Sequence, residues 1–252
     1  SMLIANLLVC CILVFMADFR ITSRYGLFRL DGDLPYWFSA PFSIFVYIVV
    51  VNAVNLIDGV DGLAAGVGFI SSAAFACWFV IIGHFPFAVL ATSLAGSLLG
   101  FLIFNFNPAK IFMGDSGSLI IGLIMYVLSI GMIEQQGLNQ DLMITSISRP
   151  VLAMAILAYP LLDTIRVFTL RALKGTSPFS ADRNHLHHHL LDLGLSHKQT
   201  VLVVYAFCLI IIALVFLTPI HSPNVSFLIV GVTAFVLTQC IFIFKNFRKV
   251  SS

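Results

Sequence analysis

The chain has 252 residues, of which 60% are apolar and 10% charged, with 24 phenylalanines and a mean hydropathy of +1.06. Soluble domains run near ~45–50% apolar and ~25% charged, so a water-soluble enzyme, a disordered tail and a disulfide-framed secreted module are all excluded. A formal charge of +2, with no basic run interleaved with aromatics, gives no footing for nucleic acid. The composition is that of an integral membrane protein.

A bilayer core of ~30 Å takes about 20 helical residues per crossing. Eight apolar runs of roughly that size follow in chain order, at 3–18, 40–57, 63–83, 86–105, 117–135, 149–171, 200–218 and 225–245. Their apolar character is continuous, whereas barrel strands alternate every second residue, so the runs read as helices. The predicted fold is an all-α polytopic transmembrane helix bundle of about eight spans, one membrane domain over 1–252 with no internal repeat. The first run lacks a basic flank and a small-residue cleavage site, so it is not a signal peptide. Cys10, Cys11, Cys77, Cys208 and Cys240 lie inside apolar stretches without metal-ligand spacing and read as small hydrophobes.

Eight spans put both chain ends on one side. The connections on that side, with the border residues and the tail, hold Lys110, Arg166, Arg171, Lys174, Arg183, Lys198, Lys245, Arg248 and Lys249. The opposite connections hold Arg20, Arg24, Arg29 and Arg149, beside the aromatics Tyr25, Tyr36, Trp37 and Phe38. The Lys and Arg excess places the first set, and both termini, in the cytoplasm. Three polar clusters fall on that same face.

The first is 52-NAVNLIDGVDGLAAG-66. Asn52, Asn55 and Asp58 recur every three residues, which keeps them near one another at a helix end. Asp58 and Asp61 are each followed by glycine, which lets a ligand approach the backbone. Carboxylates at a membrane face are costly and mark functional paths, although a capped helix end with a glycine turn gives part of the same pattern.

The second is 105-NFNPAKIFMGDSGSL-119, containing Asn105, Phe112, Asp115 and Ser116. Asp115-Ser116-Gly117-Ser118 leads into an apolar span, so the amides of that helix start can face an anion. One carboxylate beside such a helix start suits Mg²⁺, which takes a couple of protein oxygens and fills its octahedron with water and phosphate. Asp115 as a simple N-cap is the plainer alternative. Phe112 reads equally as packing or as a ring exposed for a nucleobase.

The third is 177-SPFSADRNHLHHHLLDLGLSHKQT-200, in the connection at about 172–199. His185 with His188 or His189 has the i, i+3/i+4 spacing of a zinc site, but no cysteine or acid stands nearby to complete a tetrahedral set. His185, His187, His188 and His189 with Arg183 can instead hold a diphosphate. Asp163 and Arg166, one turn apart in the sixth run, read as an intramembrane pair that neutralises itself.

Taken together, NLIDGVDGLAAG, NPAKIFMGDSGSL and DRNHLHHHLLDLGLSHKQT resemble, in order, the motifs of the polyprenyl-phosphate N-acetylhexosamine-1-phosphate transferases. The third string favours the branch that uses UDP-N-acetylglucosamine over the muramyl-pentapeptide branch. The resemblance implies that an undecaprenyl-type lipid phosphate attacks the sugar-linked phosphorus of a UDP-sugar. UMP leaves, and a lipid-diphosphate sugar stays in the membrane to start a cell-envelope glycan such as lipopolysaccharide. It further implies Asp115 as the ligand of Mg²⁺, or of Mn²⁺ in its place. Asn55, Asp58 and Asp61 would hold the nucleotide sugar, with Phe112 on the uracil and Asn105 nearby. His187, His188 and His189, helped by Arg183, would bind the diphosphate, with Asp58, Asp61, Asp115 and the three histidines as the catalytic set and Asn52, Ser116 and His185 beside them. The expected setting is the inner membrane with the site facing the cytoplasm.

One family element is missing from this sequence: an adjacent pair of aspartates in a cytoplasmic loop ahead of a span like 3–18. The expectation is a chain corresponding to the C-terminal eight of eleven spans; a natural short relative that binds without catalysing is the second alternative, and a remaining aspartate standing in for the pair the third. Faces left without packing partners would then favour self-association, a homodimer among the outcomes. A small transporter is the rival class, but it needs polar residues at mid-membrane on several spans, and here they gather at one face.

Overall fold

The computed structural model describes residues 2–23, 25–26, 32–134, 147–175, 185–218 and 222–250. Among these the fold is all-α. It runs α1 (Met2–Cys11), a π-helical turn (Ile12–Met16), α2 (Tyr36–Leu56), α3 (Leu63–Ile81), α4 (Phe85–Asn105) and α5 (Gly114–Glu134). There follow α6 (Arg149–Ile156), α7 (Ala158–Leu173), α8 (Leu186–Asp192), α9 (His197–Phe216) and α10 (Pro223–Val250). The only extended pairing among the described residues is a bridge between Ser23 and Asp33.

Among the described residues six helices are long and apolar enough to cross a membrane: α2, α3, α4, α5, α9 and the Pro223–Phe242 part of α10. Two of the eight expected segments differ. Residues 3–18 yield the shorter apolar helix Ala5–Met16, about 18 Å long at 1.5 Å per residue. The run 149–171 is broken into α6 and α7, which meet at 74°. The break has a local cause. Pro160 has no N–H to give the carbonyl of Ile156; the Ser71 hydroxyl of α3 donates to that carbonyl instead, at 3.0 Å.

The main core lies between α2, α3, α5 and α6. Tyr47 of α2 meets Tyr126 of α5 edge to face at 5.2 Å, and Phe75, Phe79, Met125, Leu128, Leu152 and Ile156 are fully buried around them. The axes of α2 and α5 come close because Gly122 has no side chain: a Cβ there would stand 2.8 Å from the Cα of Val51. A second, smaller core joins Ile57, Val60 and Leu63 to Leu186 and Leu190 of α8 and to Val201 and Val204 of α9. This second core fixes α8 under the turn that links α2 to α3.

Candidate functional site

The turn at 57–62 is the centre of the site. Gly62 sits at φ +81°, a left-handed conformation that glycine tolerates without the steric cost other residues meet. Its N–H donates to Asn105 Oδ1 at 3.0 Å, its carbonyl accepts from the Tyr205 hydroxyl at 2.5 Å, and Asn105 Nδ2 donates to the Ile111 carbonyl at 2.9 Å. Asn105 is therefore a buried strut between the first two motifs.

Further links bind the same two segments. Asn55 Nδ2 donates to Ser118 Oγ at 2.8 Å and to Asp115 Oδ1 at 3.3 Å. Asp61 Oδ2 accepts from Asn107 Nδ2 at 3.0 Å and from the Ala109 N–H at 3.1 Å. Asp58 accepts from the backbone N–H of Gly114, the first residue of α5. Burial pushes its carboxyl above the ordinary carboxylate range; the Gly114 N–H opposes the shift, and the charge of Asp115 adds to it. Two carboxylates, one half-buried and one exposed, thus share the start of α5.

Phe112, three residues before Asp115, is 78% exposed, and Ser116 is exposed beside it. A phenylalanine that open in a loop at the end of a bundle has little packing to do. Asn52 turns away: its Nδ2 donates to the Ile48 carbonyl of its own helix at 2.7 Å.

The histidine segment reaches this centre from α8. A Cβ on Gly59 would lie 3.2 Å from His187 Nε2, so that ring sits directly against the 57–62 turn. His187 stacks on His185, with centroids 5.5 Å apart and planes 7° from parallel, and touches His188 at 4.3 Å. His187 is buried, and neither ring nitrogen has a hydrogen-bond partner among the described residues. Burial is the main cause that lowers its pKa to about 4; the neighbouring histidines add to the shift and Asp163 opposes it. The ring is therefore neutral at physiological pH. His189 packs on Phe242 and meets Arg166 NH2 at 3.3 Å. Arg183 lies outside the described residues.

Asp163 and Arg166 do not form the self-neutralising pair expected of them. Asp163 is fully buried and accepts from His185 Nδ1 at 2.8 Å and from the Leu186 N–H at 2.7 Å. Arg166 instead lies over the Phe242 ring at 4.1 Å. A carboxylate buried without a partner is costly, and the histidine loop supplies two donors. Tyr205 is a position that sequence reading does not name; Ser118 reads only as part of a helix start, and Asp163 as the partner of Arg166 and not of the histidine segment. The zinc alternative gains no geometry, since no three His, Cys, Asp or Glu side chains converge on a metal position among the described residues.

The three motif segments thus meet at one end of an all-α bundle of membrane-crossing helices, around two carboxylates and a cluster of imidazoles. That is a polar centre carried at one end of a bundle of apolar helices. Residues 2–133 match the family model described as glycosyl transferase family 4, and the chain belongs to that family. Curated relatives include the decaprenyl-phosphate N-acetylglucosaminephosphotransferase of Mycobacterium tuberculosis, 41% identical over 170 residues, which are 63% of this chain and 42% of that protein. The probable undecaprenyl-phosphate N-acetylglucosaminyl 1-phosphate transferase of Bacillus subtilis is 39% identical over 170 residues, 67% of this chain and 45% of that protein. The phospho-N-acetylmuramoyl-pentapeptide-transferase of Caldanaerobacter subterraneus is 36% identical over 191 residues, 76% of this chain and 55% of that protein. The chain spans about half the length of the curated relatives it matches.

Proposed function

We propose that this site takes a UDP-linked N-acetylhexosamine, N-acetylglucosamine by preference, and passes its sugar-1-phosphate to a polyprenyl phosphate of the undecaprenyl class. An oxygen of the lipid phosphate bonds to the sugar-linked phosphorus, the bond from that phosphorus to the uridylate oxygen breaks, and UMP leaves. The single observation that carries the reading is the junction of the three motifs: Asn55 on Asp115 and Ser118, Asp61 on Asn107 and Ala109, and Gly59 against His187. The names of the relatives supply the sugar and lipid classes.

Phosphoryl transfer is mostly positioning and charge stabilisation. Beyond the Gly114 N–H, which Asp58 engages, the amides at the start of α5 face the substrate phosphates with the positive end of the helix dipole. Asn55 orients Asp115 and holds it to Ser118. Asp61 braces the 107–109 segment, from which the exposed Phe112 ring stacks on uracil. His188 and His189 stand on the same short helix as His187 and hold the diphosphate with Arg183.

A divalent cation fits this donor set. Asp115 is exposed, and Asp58 is close enough for the two charges to raise the Asp58 pKa. Mg²⁺ needs only one or two carboxylates when phosphates and water complete its shell, and Mn²⁺ suits the same oxygens. When bound, the ion would neutralise the charge on the phosphate oxygens.

The excess of Lys and Arg at this end orients the site to the cytoplasm, where nucleotide sugars are made, in a plasma-membrane setting. The test supplies membranes containing this chain with UDP-N-acetylglucosamine, undecaprenyl phosphate and Mg²⁺, and follows UMP and the lipid product. Both are expected to appear together and to be lost in Asp115→Ala. Sugar flux across liposomes without UMP release would overturn the reading in favour of transport.

A further inference from the structure

Four histidines stand within five residues of one another, but they are not alike in structure. The His185 ring is fixed by an acid from a distant helix. Its Nδ1 meets Asp163 Oδ2 at 2.8 Å, and both side chains are nearly or fully out of solvent, at 8% and 0% exposure. The second oxygen of the same carboxylate accepts the N–H of Leu186 at 2.7 Å. Leu186 is the first residue of α8, and His185, its N-cap, offers that helix no side-chain cap of its own. One carboxylate in α7 therefore does two things at the same point: it caps α8 and it sets the plane and tautomer of the ring before it. The ring it sets is the one on which His187 stacks, and the His187 ring lies against Gly59 with no hydrogen bond from the described residues. Among the described residues no polar side chain bonds the His187 ring, so packing and the clamp one step behind it carry its placement.

We propose that Asp163 is a positioning residue of the transfer site, which through His185 and the Leu186 amide holds α8 so that its histidines face the 57–62 turn. It touches no substrate. His185 is then part of the clamp and not a phosphate contact, because its ring is buried and its Nδ1 is engaged by the acid. The role in catalysis rests on the transferase reading above; the clamp itself does not.

The test compares the unaltered chain with Asp163→Asn and Asp163→Glu, each in the same detergent. Asparagine keeps an acceptor for the Leu186 amide but presents an NH₂ where His185 Nδ1 needs an acceptor. Nitrogen NMR on histidine-labelled protein reads the tautomer of His185, hydrogen exchange reads the amides of 186–192, and UMP release reads turnover. In the unaltered chain the His185 proton is expected on Nδ1. In Asp163→Asn that signature is expected to be lost, with α8 amides exchanging at least about tenfold faster while α2 to α5 stay protected. Turnover should fall on the order of 10- to 100-fold, by analogy with the loss when a carboxylate supporting a metal-bound histidine is removed, chiefly in kcat with KM for the UDP-sugar little changed. Asp163→Glu should recover part of both. An unchanged tautomer and unchanged α8 exchange in Asp163→Asn would overturn the proposal. So would loss of protection spread evenly over the whole bundle, which would make Asp163 a general stability residue. Loosened α8 in a protein whose unaltered form shows no turnover would sustain the clamp and sink the transferase reading instead.

Discussion

Phe112 is open to solvent and His187 is buried, and each makes its own prediction. Phe112 is 78% exposed, so Phe112→Ala removes almost no packing. If its ring stacks on uracil, the substitution should weaken UDP binding by about 1–3 kcal/mol with melting unchanged, as calorimetry and a thermal melt would read. His187 is buried, and its pKa is lowered from 6.5 to about 4. Between those values the unfolded ring binds a proton that the folded ring refuses. The contribution to stability is therefore complete above pH 6.5 and is lost progressively as pH falls towards 4. Melting temperature against pH should show that slope in the native chain, and His187→Gln should flatten it. The residue types of all three clusters were visible in the sequence, and so was the junction they would have to form. What the sequence did not distinguish was contact from support. Asn105, Asn52 and His185 have the polar character of ligands, yet Asn105 is a strut, Asn52 bonds to its own helix, and His185 is clamped by Asp163. Those partners lie between 4 and 43 positions away, and the two long-range ones are outside any local motif.

At the scale of elements, the distance between α2 and α5 decides whether Asn55 can reach Asp115. Gly122 sets that distance, since a Cβ there would stand 2.8 Å from the Val51 Cα and 3.1 Å from its carbonyl oxygen. Backbone cannot swing aside as a side chain would, so Gly122→Ala should push the helices apart. The expected cost is about 1–3 kcal/mol of overpacking, seen in denaturant or thermal unfolding, with weaker UDP-sugar binding as a second effect. Equal melting and equal binding would show that the helices separate without consequence. Helix number was largely legible from the apolar runs, because twenty apolar residues in a row have few alternatives. The bend between α6 and α7 was less so. Pro160 is plain in the sequence, but whether a proline kinks or breaks a span depends on what donates to the freed carbonyl, and Ser71, which donates to the Ile156 carbonyl, lies 85 positions from it.

At the scale of the whole molecule, the polar junction lies at one end of the bundle, and the aromatic residues Tyr36 and Trp37, 50% and 76% exposed, open the helix whose other end carries Asn55. Single cysteines at Lys110 and Trp37, in a background with the exposed Cys11 and Cys77 replaced, should be labelled by an impermeant maleimide from opposite sides, Lys110 from the cytoplasm. Labelling of both from one side would remove the proposed orientation. The most direct measurement concerns the claim that three separate segments form one nucleotide-sugar site. Calorimetry of UDP-N-acetylglucosamine with Mg²⁺ would be run on the native chain and on Asp58→Asn, Asp115→Asn and His188→Ala, one substitution in each segment. Each is expected to weaken binding at least about tenfold, the loss of one charged or charge-assisted contact, with the fold intact. Native-like binding in all three variants, or an effect confined to one segment, would contradict a shared site.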